Sequence, residues 1–295
     1  MLRRLLPKGL KDRLRGVYKR TADWYVRWRY RFTKADLLQA LRTVGIERGD
    51  VIFVHSAHSA FRAFEGKTPD IIDALKDAVG PEGTLLMPTF SVAGLAVDYA
   101  AQNKVFDPAV TPSQVGLITE IFRRSPGVER SLHPTHSVAG WGKRTAEFLR
   151  DNQLAATPCG RGTPLHRVLE AKGKIVLLGV DITTMSLFHT IEELLEAQMP
   201  FSPFTTETFR LRCRANGQLS DAGPMRLYAP DISRKRRLQP LAELLKKKGK
   251  WRQASTGNLL IISLQAQQVM ETVQEMAHKG VFFYEGYYPE KLTAN

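Results

Sequence analysis

The sequence predicts a layered α/β protein with a largely parallel or mixed central sheet and a modified C-terminal part. Three observations carry this. Short apolar runs at 51–54, 175–180 and 259–262 lack polar alternation, as strands buried on both faces do. Stretches with helix-start signals alternate with the first of these runs. From about residue 200 that alternation gives way to a hairpin pattern.

Taken in order, Thr33 and Asp36 resemble a capping box, opening a helix over 34–44 that Gly45 stops. A strand at 51–55 follows. Thr68-Pro69 supplies an N-cap and first-turn proline for a helix ending near Gly80, and 84–87 reads as the next strand. Thr163-Pro164 starts a helix to Gly173, 174–180 is a strand, and a helix covers about 185–196. Beyond Pro200, Asn216-Gly217 between two strand-like runs suits a type I′ hairpin turn. A basic helix over 234–250 would bury Leu238, Leu241, Leu244 and Leu245; strands at 259–264 and 281–284 flank a last helix at 265–279. There is no internal repeat, so 32–295 reads as one large domain, its part from about 200 supplying the hairpin and acceptor-side elements.

Composition excludes disorder, fibre and a disulfide scaffold: 43% hydrophobic and 24% charged residues suit a globular chain, with only Cys159 and Cys213 as cysteines. Two cysteines suit a reducing compartment, and the apolar runs are far shorter than the roughly 20 residues a membrane span needs. A cytoplasmic protein is the expectation.

The charge of +14 is uneven. Residues 1–31 hold eleven Lys or Arg against two Asp, and so carry +9 of it. Leu2, Leu5, Leu6, Leu10, Leu14 and Val17 recur at helical spacing, and Trp24, Tyr25, Trp28 and Tyr30 follow. A basic amphipathic helix trailed by aromatic residues suits an anionic membrane surface, reached from the inner face of the membrane. The alternative is a helix packing its leucines on the body. A transit peptide shares the same composition, and no nucleic-acid-binding signature accompanies the charge.

Five of the seven histidines fall at strand ends or in polar loops, where α/β proteins build sites. His55, Ser56 and Ser59 follow the first strand. His133, His136 and Ser137 lie in a loop held by Pro134. His189 and Glu192, at i and i+3, share one helix face, so the carboxylate can orient the imidazole as a base near neutral pH. Zinc-ligand spacing and a Gly-x-Ser-x-Gly elbow are both missing, which disfavours metal and serine-hydrolase readings.

These segments together resemble the aminoglycoside 3-N-acetyltransferase family. The resemblance runs in order through 33–38, 49–56, 83–91, Phe106-Asp107-Pro108, Thr111-Pro112-Ser113 and Gly116. It continues through 130–137, Trp141-Gly142, Thr163-Pro164-Leu165, 173–179, His189-Thr190-Ile191-Glu192 and Gly257-Asn258. It covers roughly 33–270. It implies a three-layer α/β/α fold and acetyl-coenzyme A-dependent transfer of an acetyl group to a primary amine of an amino sugar, with no metal. His189 would be the base, oriented by Glu192, with His133 as a further catalytic candidate and His136 and Ser137 on the substrate. His55, Ser56, Ser59, Thr111, Ser113 and Gly116 are the candidates for holding the cofactor.

Two departures bear on the acceptor. Ser186 stands three residues before His189, where drug-modifying members commonly carry Thr. Aminoglycosides are polycations, whereas this chain is basic and adds Arg234, Lys235, Arg236 and Arg237 after the hairpin. The preferred reading is therefore an endogenous nucleotide- or lipid-linked amino sugar in surface-polysaccharide biosynthesis. Aminoglycoside modification, hence antibiotic resistance, and a non-catalytic membrane-docked protein on the same fold are the alternatives. A homodimer is a further open expectation.

Overall fold

The computed structural model describes Thr21 and residues 24–288. The leucine pattern read at 2–17 lies outside those residues.

Seven strands form the main sheet, in the order β4-β5-β2-β1-β6-β10-β9. Its middle is parallel: β1 (Val51–Ser56) pairs with β2 (Thr84–Pro88) on one side and β6 (Lys174–Leu178) on the other. The flanks are antiparallel, with β5 (Val138–Gly142) and β4 (Glu129–Arg130) beyond β2, and β10 (Leu259–Gln265) and β9 (Arg252–Thr256) beyond β6. The sheet is therefore mixed around a parallel core.

Alternate residues of the central strands feed two separate cores. Phe53, Ile175, Leu177, Ile262 and Leu264 point to one face, and Ile52, Val54, Val176, Leu178 and Ile261 to the other. Both sets are almost wholly buried, which is why these strands read as unbroken apolar runs. Helices α1 (Lys34–Thr43), α2 (Thr68–Val79) and α4 (Leu117–Arg123) cover the second face. The first is covered by α6 (Pro164–Glu170), α7 (Leu187–Leu194), α9 (Gln239–Lys247) and α10 (Ala266–His278). This gives three layers. Each fully buried Leu, Ile or Phe contributes about 1.5–3 kcal/mol, so sheet and helices are held chiefly by apolar burial.

Two helix starts follow the sequence signals, whereas at α2 the N-cap is Lys67 and Thr68 already lies in the first turn with Pro69. Thr33 and Asp36 form the capping box, and Thr163 caps α6 with Pro164 in its first turn. Helices α3 (Ala96–Ala101) and α5 (Thr145–Leu149) are short, carry no capping pattern and were not legible beforehand.

A second sheet, β3-β7-β8, is built from β3 (Val105–Phe106) and the long hairpin β7 (Phe204–Ala215) and β8 (Gln218–Tyr228). Asn216 and Gly217 both have positive φ, as the type I′ turn requires. Two expectations fail here. Residues 281–284 form no strand, because Tyr284 makes only an isolated bridge to Arg236. The basic segment is not one helix: α8 (Pro230–Ser233) ends before Arg234, and α9 starts at Gln239. The intervening turn directs Arg236 inward.

Candidate active site

The site lies where the helix after β6 meets the hairpin and the C-terminal segment. On α7, His189 and Glu192 are one turn apart, and His189 Nδ1 lies 2.9 Å from Glu192 Oε1. With Glu192 accepting, Nδ1 carries the proton, which leaves Nε2 as the nitrogen with a free lone pair. His189 keeps 26% of its side chain accessible, whereas Glu192 keeps 1%. The imidazole is thus reachable and its carboxylate is not.

Four donors complete the buried carboxylate. Arg236 donates through Nε to Oε2 at 2.8 Å and through Nη2 to Oε1, while the Tyr284 hydroxyl donates to Oε2. With His189, each oxygen accepts two bonds, so a charge that would be costly to bury is fully compensated. Burial would push the Glu192 carboxyl up, but Arg236 and then His189 outweigh it and hold it below the usual carboxylate range. For His189, burial is the larger effect and Arg236 adds to it; together they overcome Glu192 and lower the imidazole below its ordinary value. The ring is neutral at physiological pH, the state a proton acceptor needs.

Beside His189 stands Tyr228, at the end of β8, with ring centroids 4.8 Å apart. Its hydroxyl donates to Glu193, which also accepts from Thr157 Oγ1 and, at 3.0 Å, from the Cys159 amide. Burial raises the Glu193 carboxyl to about 8 despite those donors. With its carboxyl raised to that value, one of the two hydroxyls accepts the acid's proton in place of donating. Gly160 is required at the chain's closest approach, since a Cβ there would fall 2.3 Å from both Glu193 Oε2 and Thr157 Oγ1.

On the other side of Tyr228 lies His136, at 5.9 Å, followed by His133 at 5.9 Å from His136. His133 is fully buried, and its Nδ1 accepts from the amides of Thr135 and His136, at 3.2 and 3.0 Å. Burial drops its pKa to about 3, and Nε2 has no hydrogen-bond partner. His133 holds the 133–136 turn. His136, lowered by burial and by His133 and His189, contacts Phe90 and Tyr228, so it borders the site. Ser137 does not reach an open surface. Its hydroxyl is buried, donates to the Thr89 carbonyl and accepts from Arg130 Nε. That guanidinium also reaches the Thr89 and Pro108 carbonyls, tying β2 to the loop after β3.

The six cofactor candidates divide. His55, buried at the end of β1 with its pKa lowered to about 3 by burial and by His189, accepts from the Ser186 amide at 3.3 Å. The strand end thereby abuts the start of α7. Ser56 Oγ is buried with no partner, and a Cβ on Gly116 would come 3.9 Å from the Ser56 carbonyl. His55, Ser56 and Gly116 therefore converge. Thr111 and Ser113 brace their own loop: Thr111 Oγ1 accepts from the Asp107 amide, and Ser113 Oγ bonds Thr119. Ser59 is exposed and faces a recess of about 740 Å³ shared with Gly179, Asp181 and Lys246. Among the described residues no cluster of metal-ligating side chains occurs.

Sequence reasoning missed Arg236, Tyr228, Tyr284 and Glu193. Arg236, one of four consecutive basic residues in the sequence, keeps only 14% of its side chain accessible and pairs with Glu192. No local spacing links residues 192, 236 and 284; only tertiary folding joins them.

A three-layer α/β/α body carries an accessible neutral imidazole held by a buried carboxylate, an arrangement chemically able to accept a proton. The profile of the aminoglycoside 3-N-acetyltransferase family matches residues 53–278, and the chain belongs to that family. It is 34% identical over 174 residues to aminoglycoside N(3)-acetyltransferase IV of Salmonella sp, covering 58% of this chain and 62% of that one. The chain thus matches somewhat under two thirds of that relative's length. Its fold is similar to the apoenzyme structure of aminoglycoside acetyltransferase AAC(3)-IVa, with a TM-score of 0.71 and 25% identity, covering 89% of this chain and 94% of the other. The AAC-IIIb binary complex with CoASH shares the fold, with a TM-score of 0.69 and 22% identity, covering 88% and 99%.

Proposed function

We propose that this protein transfers an acetyl group from acetyl-coenzyme A to a primary amine of an aminoglycoside. The observation that carries this is the His189–Glu192 pair, with its neutral, accessible imidazole, in a chain of this family. The relatives' names move the preference from an endogenous amino sugar toward aminoglycosides.

Transfer joins the nitrogen to the acetyl carbon and breaks the carbon–sulfur bond; of the two protons an ammonium gives up on becoming an amide, one leaves to solvent and the other ends on the thiolate, giving the thiol. Acetyl-coenzyme A supplies the activated acyl group. The partnerless Ser56 hydroxyl, together with His55 and the backbone at Gly116, offers the polar lining such a thioester needs. His189 Nε2 takes the amine proton, and the imidazolium that forms is stabilised by Glu192. Tyr228, against the imidazole, and His136, next to Tyr228, line the approach of the acceptor.

A second reading, an endogenous amino sugar carrying anionic groups, has its own support. Glu192 is neutralised by Arg236, Glu196 by a bidentate Arg226 at 2.7 and 2.8 Å, and burial raises the Glu193 carboxyl to about 8. The helix nearest the site therefore presents little net negative charge to a polycation.

The deciding experiment is thiol release from acetyl-coenzyme A across aminoglycosides and nucleotide-linked amino sugars. Turnover of an aminoglycoside, reduced about 10²–10⁴-fold by His189→Ala with coenzyme A binding retained, is the expected result. Turnover of sugar nucleotides alone selects the second reading. Near-normal turnover by the variant moves the base elsewhere.

A further inference from the structure

We propose that residues 24–31, with the loop after β1, form a docking surface for an anionic phospholipid bilayer. Residues 24–29 are helical, and among the described residues the segment meets the body through Val26 and Phe32. Val26 packs against the core beneath α1, and Phe32 bridges Phe64. The opposite side carries an aromatic ridge. Trp24 is 67% exposed and Trp28 61%, and the two rings stack at 6.1 Å; Tyr25 and Tyr30 are exposed as well. A helix that packed its apolar residues on the body would turn these rings inward. Here the small Val26 does the packing, and the large rings face solvent.

Charge selects the occupant. Arg27, Arg29 and Arg31 interleave with the rings, and residues 1–31 carry +9 of the whole charge. At the foot of the ridge, Arg27, Arg31, Arg62 and His58 line a recess of about 460 Å³, in which Glu65 supplies the acidic partner of Arg31. Trp and Tyr favour the boundary between head groups and acyl chains, and Lys and Arg meet anionic head groups just outside it. Rings flanked by arginines, above a recess of headgroup size, match that arrangement. A protein partner of ordinary composition would not call for so one-sided a charge. No helix among the described residues is long and apolar enough to cross a membrane, so contact would be at the surface.

The test is co-sedimentation of the full chain with vesicles of phosphatidylcholine, with and without phosphatidylglycerol, while tryptophan emission is recorded. Binding about tenfold tighter to the phosphatidylglycerol vesicles, with a blue-shifted emission, is expected. The Trp24→Ser/Trp28→Ser variant should lose the shift and most of the binding, and Arg27→Glu/Arg29→Glu should lose the lipid preference. These positions are exposed, so circular dichroism should stay unchanged. Equal affinity for both vesicle types would overturn the proposal. So would undiminished binding by the tryptophan variant, which would assign contact to residues 1–20 alone. A concentration-dependent dimer abolished by the same variant would instead make the ridge an interface between copies.

Discussion

Glu192 shows how one buried residue sets the chemistry of its neighbour. Its carboxylate is shared between His189, which it orients, and Arg236, which competes for its charge. Without Arg236, the imidazole would feel the full attraction of the carboxylate and its pKa would rise. The guanidinium therefore keeps His189 neutral to lower pH. The acid limb of kcat/KM should lie below the ordinary histidine range, because burial and Arg236 both lower that pKa. Arg236→Met should move the limb to higher pH, with Arg236→Lys restoring most of the original profile. A pH profile of acetyl transfer for the three proteins decides the matter. If Arg236→Met loses rate equally at every pH, the arginine only supports the fold. Tyr284, the remaining donor to Glu192, provides a control, since Tyr284→Phe removes a hydrogen bond without removing a charge.

At the scale of elements, the loops after β1 and β6 hold the site together, and their contact rests on a glycine. Gly179 has φ +65, its amide bonds the Leu260 carbonyl, and a Cβ there would fall 2.0 Å from the Cβ of Ala60. Gly179→Ala should cost about 2–4 kcal/mol, part from the left-handed backbone and part from overpacking. Thermal unfolding measures the loss, and adding Ala60→Gly should restore only the packing share. Full rescue would mean the backbone conformation costs nothing. Elements like these are what the sequence made legible: β1, β6 and α7 each announce themselves by a run of buried residues or a helix period. His189 and Glu192 were legible because one helical turn separates them. Arg236 was not, because it lies 44 positions further along the chain, past the hairpin and a turn, from Glu192. Ser137 misled for a related reason: a polar residue in a histidine-rich loop looks available, and only folding shows its hydroxyl spent on Thr89 and Arg130. Residues 281–284 read as a strand for want of any signal that Tyr284 turns toward Glu192.

The molecule as a whole carries +14, with 43 basic against 29 acidic residues. That field acts on any charged acceptor before it reaches His189. Local geometry offers little to offset it, because Arg236 and Arg226 each neutralise a carboxylate on or just after α7. A polycationic aminoglycoside should therefore approach against the field, and an anionic sugar nucleotide with it. Salt screens both, since the Debye length falls from about 30 Å at 0.01 M to about 10 Å at 0.1 M. Over that range kcat/KM should rise with ionic strength for an aminoglycoside and fall for a nucleotide-linked sugar, while kcat changes little. Initial rates at subsaturating acceptor, with acetyl-coenzyme A held saturating throughout, give the slope. Its sign reports the field at the acceptor's entrance, separately from which acceptor turns over faster. A falling slope with an aminoglycoside would locate carboxylates along its path that outweigh the basic surface, and would remove the electrostatic support for the second reading.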